Sequence, residues 1–503
     1  MNMLVSRKGE VFMLNELKKE LNYKLTENGA ITHKTSNSYV LDYFAQGSSL
    51  RNRDKQEIIQ IFKKSFYQDP LITMKILFYS RDIRGGQGER DTFRYIIKYL
   101  ADNHTDILNK NIHLISEFGR WDDIYALFDT KLEDKAIELM KEQLNKDITL
   151  EQPSLLAKWL KSENTSSKES RRLGNITRKK LGMTPKQYRK TLSELRKRID
   201  IVEEKLSKKK YEDIDYSKIP TNASLKYRKA FYRNDEERYI DYLDSLTKGK
   251  IKIDSKTLYP YQLVSKALKY PSDEEKQLLN AMWDGLPDYI GDNNEDAIAV
   301  VDTSGSMYGT PLEVAISLGL YLAERNKSAF KNHFITFADN PELVEVIGKD
   351  FCEKVSNISN ANWGMSTNIE ATFDLILNTA IKNKLKQEEL PSKIFIISDM
   401  EFNQIENSGY YSWNRKQQRD DKTLFANLKN RFESNGYKMP NLVFWNVDSR
   451  NDNIPMTMDE NGVQLVSGAN PILFETLLNN EFVGAYEIMM KEIGKERYNC
   501  ITV

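Results

Sequence analysis

The run Asp302-Thr-Ser304-Gly-Ser306 stands where a short apolar segment, Ala297-Ile-Ala-Val-Val301, ends. A second carboxylate ends another such segment, in Ser398-Asp399-Met400-Glu401. Between them, ahead of a helical pattern, lies Trp363-Gly364-Met365-Ser366-Thr367-Asn368. Carboxylates and hydroxyls are hard oxygen donors. A set with few carboxylates and several hydroxyls suits Mg²⁺ (or Mn²⁺), which takes near-octahedral oxygen coordination and keeps waters. Ser304 and Ser306 are two apart, so one turn can point both hydroxyls at one ion, and Gly305 lets that turn fold tightly. So little direct negative charge would leave the ion electrophilic, with a position open to an anionic oxygen of a partner. The blander reading is that Asp302 and Asp399 cap helices and the serines fill a turn. An Asp-x-Asp phosphatase site is a near rival. Here the position two after Asp302 is Ser304, so the second catalytic carboxylate is missing, and Glu401 is expected to be structural or supporting.

A second group of residues is cationic. Residues 171–210 hold 15 Lys/Arg against four acids, Glu194, Asp200, Glu203 and Glu204. Arg171, Arg172, Arg178, Lys179, Lys180, Lys186, Arg189 and Lys190 fall in a stretch read as poor in helix. Such groups neutralise phosphates and give sequence-independent, salt-dependent binding. Tyr188 and Tyr211 are candidates to stack on unpaired bases. The competing reading is a solvated face paired with acids elsewhere, and the polyanion could be an acidic protein. Arg81, Arg84, Arg90 and Arg94 flank Gly85-Gly-Gln-Gly88 ahead of a helix. That arrangement fits either an anion pocket of backbone N–H groups and guanidinium or a structural turn with internal ion pairs.

The rest of the composition excludes much. The chain has 503 residues, and its 74 Lys+Arg nearly balance 73 Asp+Glu, so the basic segment is an island in an otherwise acidic chain. No apolar run approaches the roughly 18 residues of a spanning helix, and the first residues lack the apolar core of a secretory signal. Two cysteines and four scattered histidines fit neither a disulfide scaffold nor a zinc module. A reducing cytoplasm is the expected setting. There is no Ser/His/Asp set, no Gly-x-x-x-x-Gly-Lys loop and no deaminase zinc pattern, so a binding protein is expected rather than an enzyme.

These residues need elements to hold them. Over residues 1–290 the apolar spacing predicts helix after helix, among them Asp54–Tyr67, Leu71–Tyr79 behind an Asp69 cap, and Pro185–Lys209, with strands nearly absent. That pattern predicts a HEAT-like α-solenoid, ring or irregular bundle, although no fixed-period repeat is found. Past the polar stretch 291–295 the pattern changes. Strands are predicted at Ala297–Val301, His333–Phe337, Leu343–Ile347, Lys393–Ser398 and Asn441–Val447, with helices at Pro311–Asn326, Asn368–Asn383, Lys422–Ser434 and Pro471–Leu478. Alternation of this kind predicts a doubly wound α/β domain over 295–503, which binds ligands at the carboxyl ends of its strands.

The oxygen-donor loops resemble the metal-ion-dependent adhesion site (MIDAS) of the von Willebrand factor A family, whose pattern is Asp-x-Ser-x-Ser, then a Thr, then an Asp. The resemblance assigns Asp302, Ser304, Ser306, Thr367 (with Ser366 beside it as the alternative) and Asp399 as ligands of the ion. A helical module followed by such a domain resembles the Ro autoantigen (TROVE-module) architecture, and more closely an uncharacterised family with this layout. The stretches that carry it are 82–91, Gly119-Arg-Trp-Asp-Asp-Ile124, 181–189 and Ile219-Pro-Thr-Asn-Ala223. It implies a ring of helical repeats closed by the A domain, and binding of small noncoding or structured RNA in a ribonucleoprotein. The basic residues, with Arg81 and Arg84, would then contact phosphates, and an acidic protein group would be a possible partner at the ion. The alternatives are a metal-dependent protein-interaction scaffold that binds no RNA and a metal-dependent nuclease or phosphatase.

Overall fold

The structure is a computed structural model. It describes residues 13, 17–18, 20–337, 341–359, 368–403, 424–458, 460–478 and 483–503. The chain forms two compact units that interleave along the sequence: one of Met1–Arg53, Pro260–Leu268 and Asp288–Glu492, the other of Asp54–Tyr259, Lys269–Pro287 and Ile493–Val503.

The first unit is built on a six-stranded sheet. A small hairpin, β1 (Tyr23–Leu25) and β2 (Ile31–His33), precedes it. The sheet strands are β3 (Ala297–Val301), β4 (His333–Thr336), β5 (Leu343–Glu345), β6 (Lys393–Ser398), β7 (Asn441–Asn446) and β8 (Val463–Ser467). Their order is β5-β4-β3-β6-β7-β8, and every pairing is parallel except β4 with β5. All residues of β3 and β6 are buried, as expected for parallel strands covered on both faces. From β3 the chain moves outward to β4 and β5, then crosses back to β6 on the other side of β3. The topological switch therefore lies between the carboxyl ends of β3 and β6, the place where a doubly wound sheet offers a ligand crevice. The helix Thr310–Arg325 lies close on β3 because it carries Gly319. A Cβ there would come within 2.5 Å of Val301 Cγ2.

Sequence reasoning expected no strands in the first part of the chain, and β1 and β2 correct that. The hairpin belongs to the sheet unit, as does the helix Tyr39–Gly47. Polar side chains stitch these segments to the strand ends. Ser467 Oγ donates to Phe44 O at 2.8 Å, Ser49 Oγ to Asn446 Oδ1 at 3.2 Å, and Ser449 Oγ to Gln46 Oε1 at 3.0 Å. Periodicity of period 2 over three residues is too short to register, which is why the hairpin escaped notice. Strand β8 was also missed, and the segment from Leu343 pairs antiparallel at the edge rather than extending the parallel set.

The second unit is helical. Asp69 caps Pro70–Arg81 by accepting from Ile72 N at 2.9 Å, with Pro70 in the first turn. Phe62, Phe78, Phe93 and Phe118 are fully buried here. The stretch from Arg171 is not poor in helix. Lys168–Lys180 and Pro185–Arg198 are both helical, each capped by a hydroxyl, from Ser167 and Thr184. The second of these stops well before Lys209. Asp200 takes a positive φ of 54°, which ends the helix, and a separate short helix runs Val202–Ser207.

Candidate functional site

Asp302 leaves the end of β3 and Asp399 the end of β6, so the two carboxylates flank the switch point. Both are buried. One oxygen of Asp302 accepts from Ser304 N at 2.9 Å and the other from Ser398 Oγ at 2.6 Å. Burial, and then the charge of Asp399 beside it, pushes the Asp302 carboxyl well above the ordinary range. Ser304 Oγ and Ser306 Oγ lie 3.0 Å apart. Neighbouring oxygens around an octahedral ion with ligands at about 2.1 Å are separated by about 3.0 Å. The pair thus has the spacing of two adjacent ligands. The loop is a turn of 3-10 helix, Gly305–Met307, and a Cβ at Gly305 would meet nothing within 4 Å, so the turn does not depend on a glycine there. Met400 sits between the site residues at φ 67°, a strained conformation for a side-chain-bearing residue and one that clusters at functional sites. Thr367 and Ser366 lie outside the described residues. Asp302, Ser304 and Ser306 thus share one loop end, with the buried Asp399 at the end of the neighbouring strand, and all four carry hard oxygens of the kind a small dication takes. Among the described residues, no group of three or more His, Cys, Asp or Glu is placed to hold a metal ion.

Sequence reasoning missed the loop after β7. Arg450 Nη2 lies 2.7 Å from Asp399 Oδ2. Asn451 and Asn453 donate to Glu401 Oε1 at 2.8 and 2.7 Å, and Glu27 N donates to Glu401 Oε2 at 2.9 Å. Glu401 is therefore a fully engaged structural carboxylate that ties the β1–β2 turn to the 451–453 loop. The overlooked signal was the polar run Asp448-Ser-Arg-Asn-Asp-Asn453, which directly follows an apolar strand at the same sheet edge.

The glycine turn in the helical unit does not offer an anion pocket. Its own Asp82 occupies that place, accepting from Arg84 N at 2.9 Å, Arg497 Nη2 at 2.9 Å and Tyr498 OH at 3.1 Å. Arg81 is 1% exposed and paired with Asp123, so it cannot reach a phosphate. Arg84 is exposed and donates to Glu117 O at 2.6 Å.

The basic segment divides in two. Arg172 is paired with Asp129 and Glu169, Arg178 with Glu163, and Lys180 with Glu133 and Asp134. Tyr188 is 2% exposed and donates to Lys161 O at 2.9 Å, so it does not present a stacking face. Among the described residues, Arg171, Lys179, Lys186, Arg189, Lys190 and Lys197 are exposed and form no ion pair. On the helix Pro185–Arg198 the buried positions are Tyr188, Leu192 and Leu195. The opposite face carries Lys186, Lys190 and Lys197 at spacings of four and seven, a stripe about 16 Å long at 1.5 Å per residue. No described helix is long and apolar enough to cross a membrane.

Comparison with known proteins finds two family matches along the chain. A family model described as domain of unknown function DUF2828 matches residues 26–184 and 153–295, and one described as domain of unknown function DUF7788 matches 296–500. The chain is 32% identical over 502 residues to "Uncharacterized protein L728" of Acanthamoeba polyphaga mimivirus, covering 92% of this chain and 85% of that protein. Among solved structures, the crystal structure of the Deinococcus radiodurans RO (RSR) protein aligns with TM-score 0.44 and 11% identity, covering 91% of this chain and 99% of that one. The chain thus belongs to the DUF2828 family, and the residues that follow match the DUF7788 model.

Proposed function

We propose that this protein binds structured or single-stranded RNA through the helical unit, as a Ro-like ribonucleoprotein component of a reducing cytoplasm. The observation that carries the reading is the stripe Lys186, Lys190 and Lys197 on one helix face, exposed and free of ion pairs among the described residues, as are Arg189 on the same helix and Arg171 and Lys179 on the helix before it. Cations left without internal partners on one helix face are available to phosphates, and their release of counterions drives binding. The sequence resemblance to TROVE modules points the same way. The test is RNA affinity by fluorescence anisotropy across a salt series, for the wild type and for Lys186→Glu/Lys190→Glu/Lys197→Glu. Affinity should fall steeply with salt, and the triple variant should bind at least tenfold more weakly with a flatter salt slope. Equal affinity and slope for both proteins would reject the RNA reading in favour of a scaffold.

The second reading concerns the sheet unit, taken as a von Willebrand A-type domain. Asp302, Ser304, Ser306 and Asp399, with Thr367, would hold Mg²⁺ or Mn²⁺. The 3.0 Å separation of the serine hydroxyls supports it. Such an ion would supply a Lewis-acidic contact for a carboxylate or phosphate oxygen of a partner. The chain's own residues fix the donors: Ser398 Oγ and Ser304 N orient the Asp302 carboxyl, and Glu401 N donates to Asp399 Oδ1 at 3.2 Å. Saturable Mn²⁺ binding that Asp302→Asn removes is the expected result. The position two after Asp302 is Ser304 rather than an Asp, so the loop lacks the Asp-x-Asp pair of a phosphatase, which favours a binding role over hydrolysis.

A further inference from the structure

Asp399 already has a cation. Arg450 Nη2 lies 2.7 Å from Asp399 Oδ2, and the Asp399 side chain is fully buried. The same Nη2 is 3.7 Å from Glu27 Oε2, on the β1–β2 turn, whose side chain is 58% exposed. Arg450 Nε is buried without a hydrogen-bond partner among the described residues, so this guanidinium is only partly satisfied where it rests. Glu27 is held in place from two sides. Its backbone N–H donates to Glu401, and its Oε1 accepts from Asn451 Nδ2 at 3.0 Å. One guanidinium therefore lies between two carboxylates, the nearer buried and the farther exposed.

We propose that Arg450 is a built-in counter-cation that competes with the dication for Asp399, and that Glu27 receives the Arg450 guanidinium when the ion binds. The inference rests on the metal reading given above. A dication drawn to Asp302, Ser304 and Ser306 also draws on Asp399, and a guanidinium on the same carboxylate opposes it by like-charge repulsion at close range. Glu27 lowers the cost of displacing the guanidinium, because the departing charge moves from one carboxylate to another rather than into water. The same device explains how the site tolerates being without an ion: the buried Asp399 is never left as an unpaired charge. Occupancy should then follow the free dication concentration rather than being permanent.

The experiment is calorimetric titration of the full chain with MnCl₂, with water-proton relaxation by Mn²⁺ as an independent readout. It compares the wild type, Arg450→Gln, Glu27→Gln, the double variant and Asp302→Asn. Arg450→Gln should bind Mn²⁺ about tenfold more tightly. Glu27→Gln should bind several-fold more weakly, and that loss should vanish in the Arg450→Gln background. Glu27 is exposed, so its variant tests the idea even where Arg450→Gln folds poorly. If Asp302→Asn abolishes binding while Arg450→Gln and Glu27→Gln leave the affinity at the wild-type value, the competition is overturned and the metal reading stands. If neither the wild type nor Arg450→Gln binds Mn²⁺ saturably, both fall.

Discussion

Arg81 and Asp123 form an ion pair closed off from water: Nη2 lies 2.7 Å from Oδ2, and the side chains are 2% and 0% exposed. Asp123 serves more than one partner. Its other oxygen takes Arg94 Nε at 2.7 Å, and Oδ2 also accepts from Arg120 N at 2.9 Å. Gly119 makes the close approach possible, since a Cβ there would come within 2.9 Å of Arg81 Nε and closer still to Asp123. The stretch Gly119-Arg-Trp-Asp-Asp123 is thereby explained as the acceptor half of a buried charge network. Removing one partner of such a pair leaves an uncompensated buried charge. Asp123→Asn should cost about 3–5 kcal/mol, read as a lowered urea midpoint. A loss below about 1 kcal/mol would show that the network contributes little to the fold.

His33 should give the sheet unit an acid-side weakness. Its ring is 5% exposed, Asn22 Nδ2 lies 3.4 Å from Nδ1, and Nε2 is buried with no hydrogen-bond partner among the described residues. Burial depresses its pKa to about 4. The unfolded chain takes up a proton near the ordinary value of about 6.5, whereas the folded chain resists until about 4. The unfolded state therefore binds more protons in that window, and stability falls as pH drops through it, by up to about 3 kcal/mol. Thermal melts from pH 8 to 4.5 should show His33→Gln losing less stability on acidification than the wild type. Parallel curves would assign the acid sensitivity elsewhere.

The sheet unit was legible where its signal was long and local. The continuous apolar runs of β3 and β6 announce strands buried on both faces, and an Asp at the end of each places the two carboxylates before any coordinates are seen. Arg450 was not legible, because its relation to Asp399 spans 51 residues and depends on β7 pairing beside β6 in parallel register. The basic island shows the opposite limit. Local charge counting finds the segment, but it cannot tell Lys180, which has two acidic partners, from Lys190, which has none among the described residues. Those partners, Glu133 and Asp134, come from a different helix. Tyr188 failed for a similar reason. Its spacing to Leu192 and Leu195 marks the buried face of its helix, and that pattern outweighs an aromatic beside cations as a guide to exposure.

This division of the island makes its own prediction. Lys180→Ala removes a cation already neutralised by Glu133 and Asp134, so RNA affinity should change by less than twofold. Lys186→Ala and Lys190→Ala together should reduce the slope of log K against log salt by about 1.4 on a single strand, at about 0.7 per phosphate contact. Tyr188→Phe should leave RNA affinity intact while costing about 1 kcal/mol of stability for its lost bond to Lys161 O. A loss of RNA affinity in Tyr188→Leu, which removes the ring, with the fold preserved, would restore the stacking role that burial argues against.

Glu401 is the remaining test of how the candidate metal loop is supported. Its carboxylate accepts from Glu27 N, Asn451 Nδ2 and Asn453 Nδ2, and its own backbone carbonyl accepts from Asn28 Nδ2 at 2.6 Å. Next in the chain, Phe402 O accepts from Thr26 Oγ1 at 2.7 Å, and Asn403 bridges to Gly29. The segment after β6 thus holds the β1–β2 turn by a row of polar contacts, in which the Glu401 carboxylate accepts three hydrogen bonds. Glu401→Ala leaves Glu27 N and Asn453 Nδ2 without their acceptor and Asn451 Nδ2 with Glu27 alone, at a cost of about 2–4 kcal/mol. Because the contacts are concentrated on the turn, the loss should appear as local opening before global unfolding. Hydrogen exchange at Glu27–Ala30 should accelerate at least tenfold in Glu401→Ala and less in Glu401→Gln, which keeps one acceptor oxygen. Amides of β3 and β6 should be little affected. If exchange rises equally in turn and sheet, Glu401 supports the whole domain. If it rises in neither, the three hydrogen bonds of the Glu401 carboxylate are dispensable to the turn.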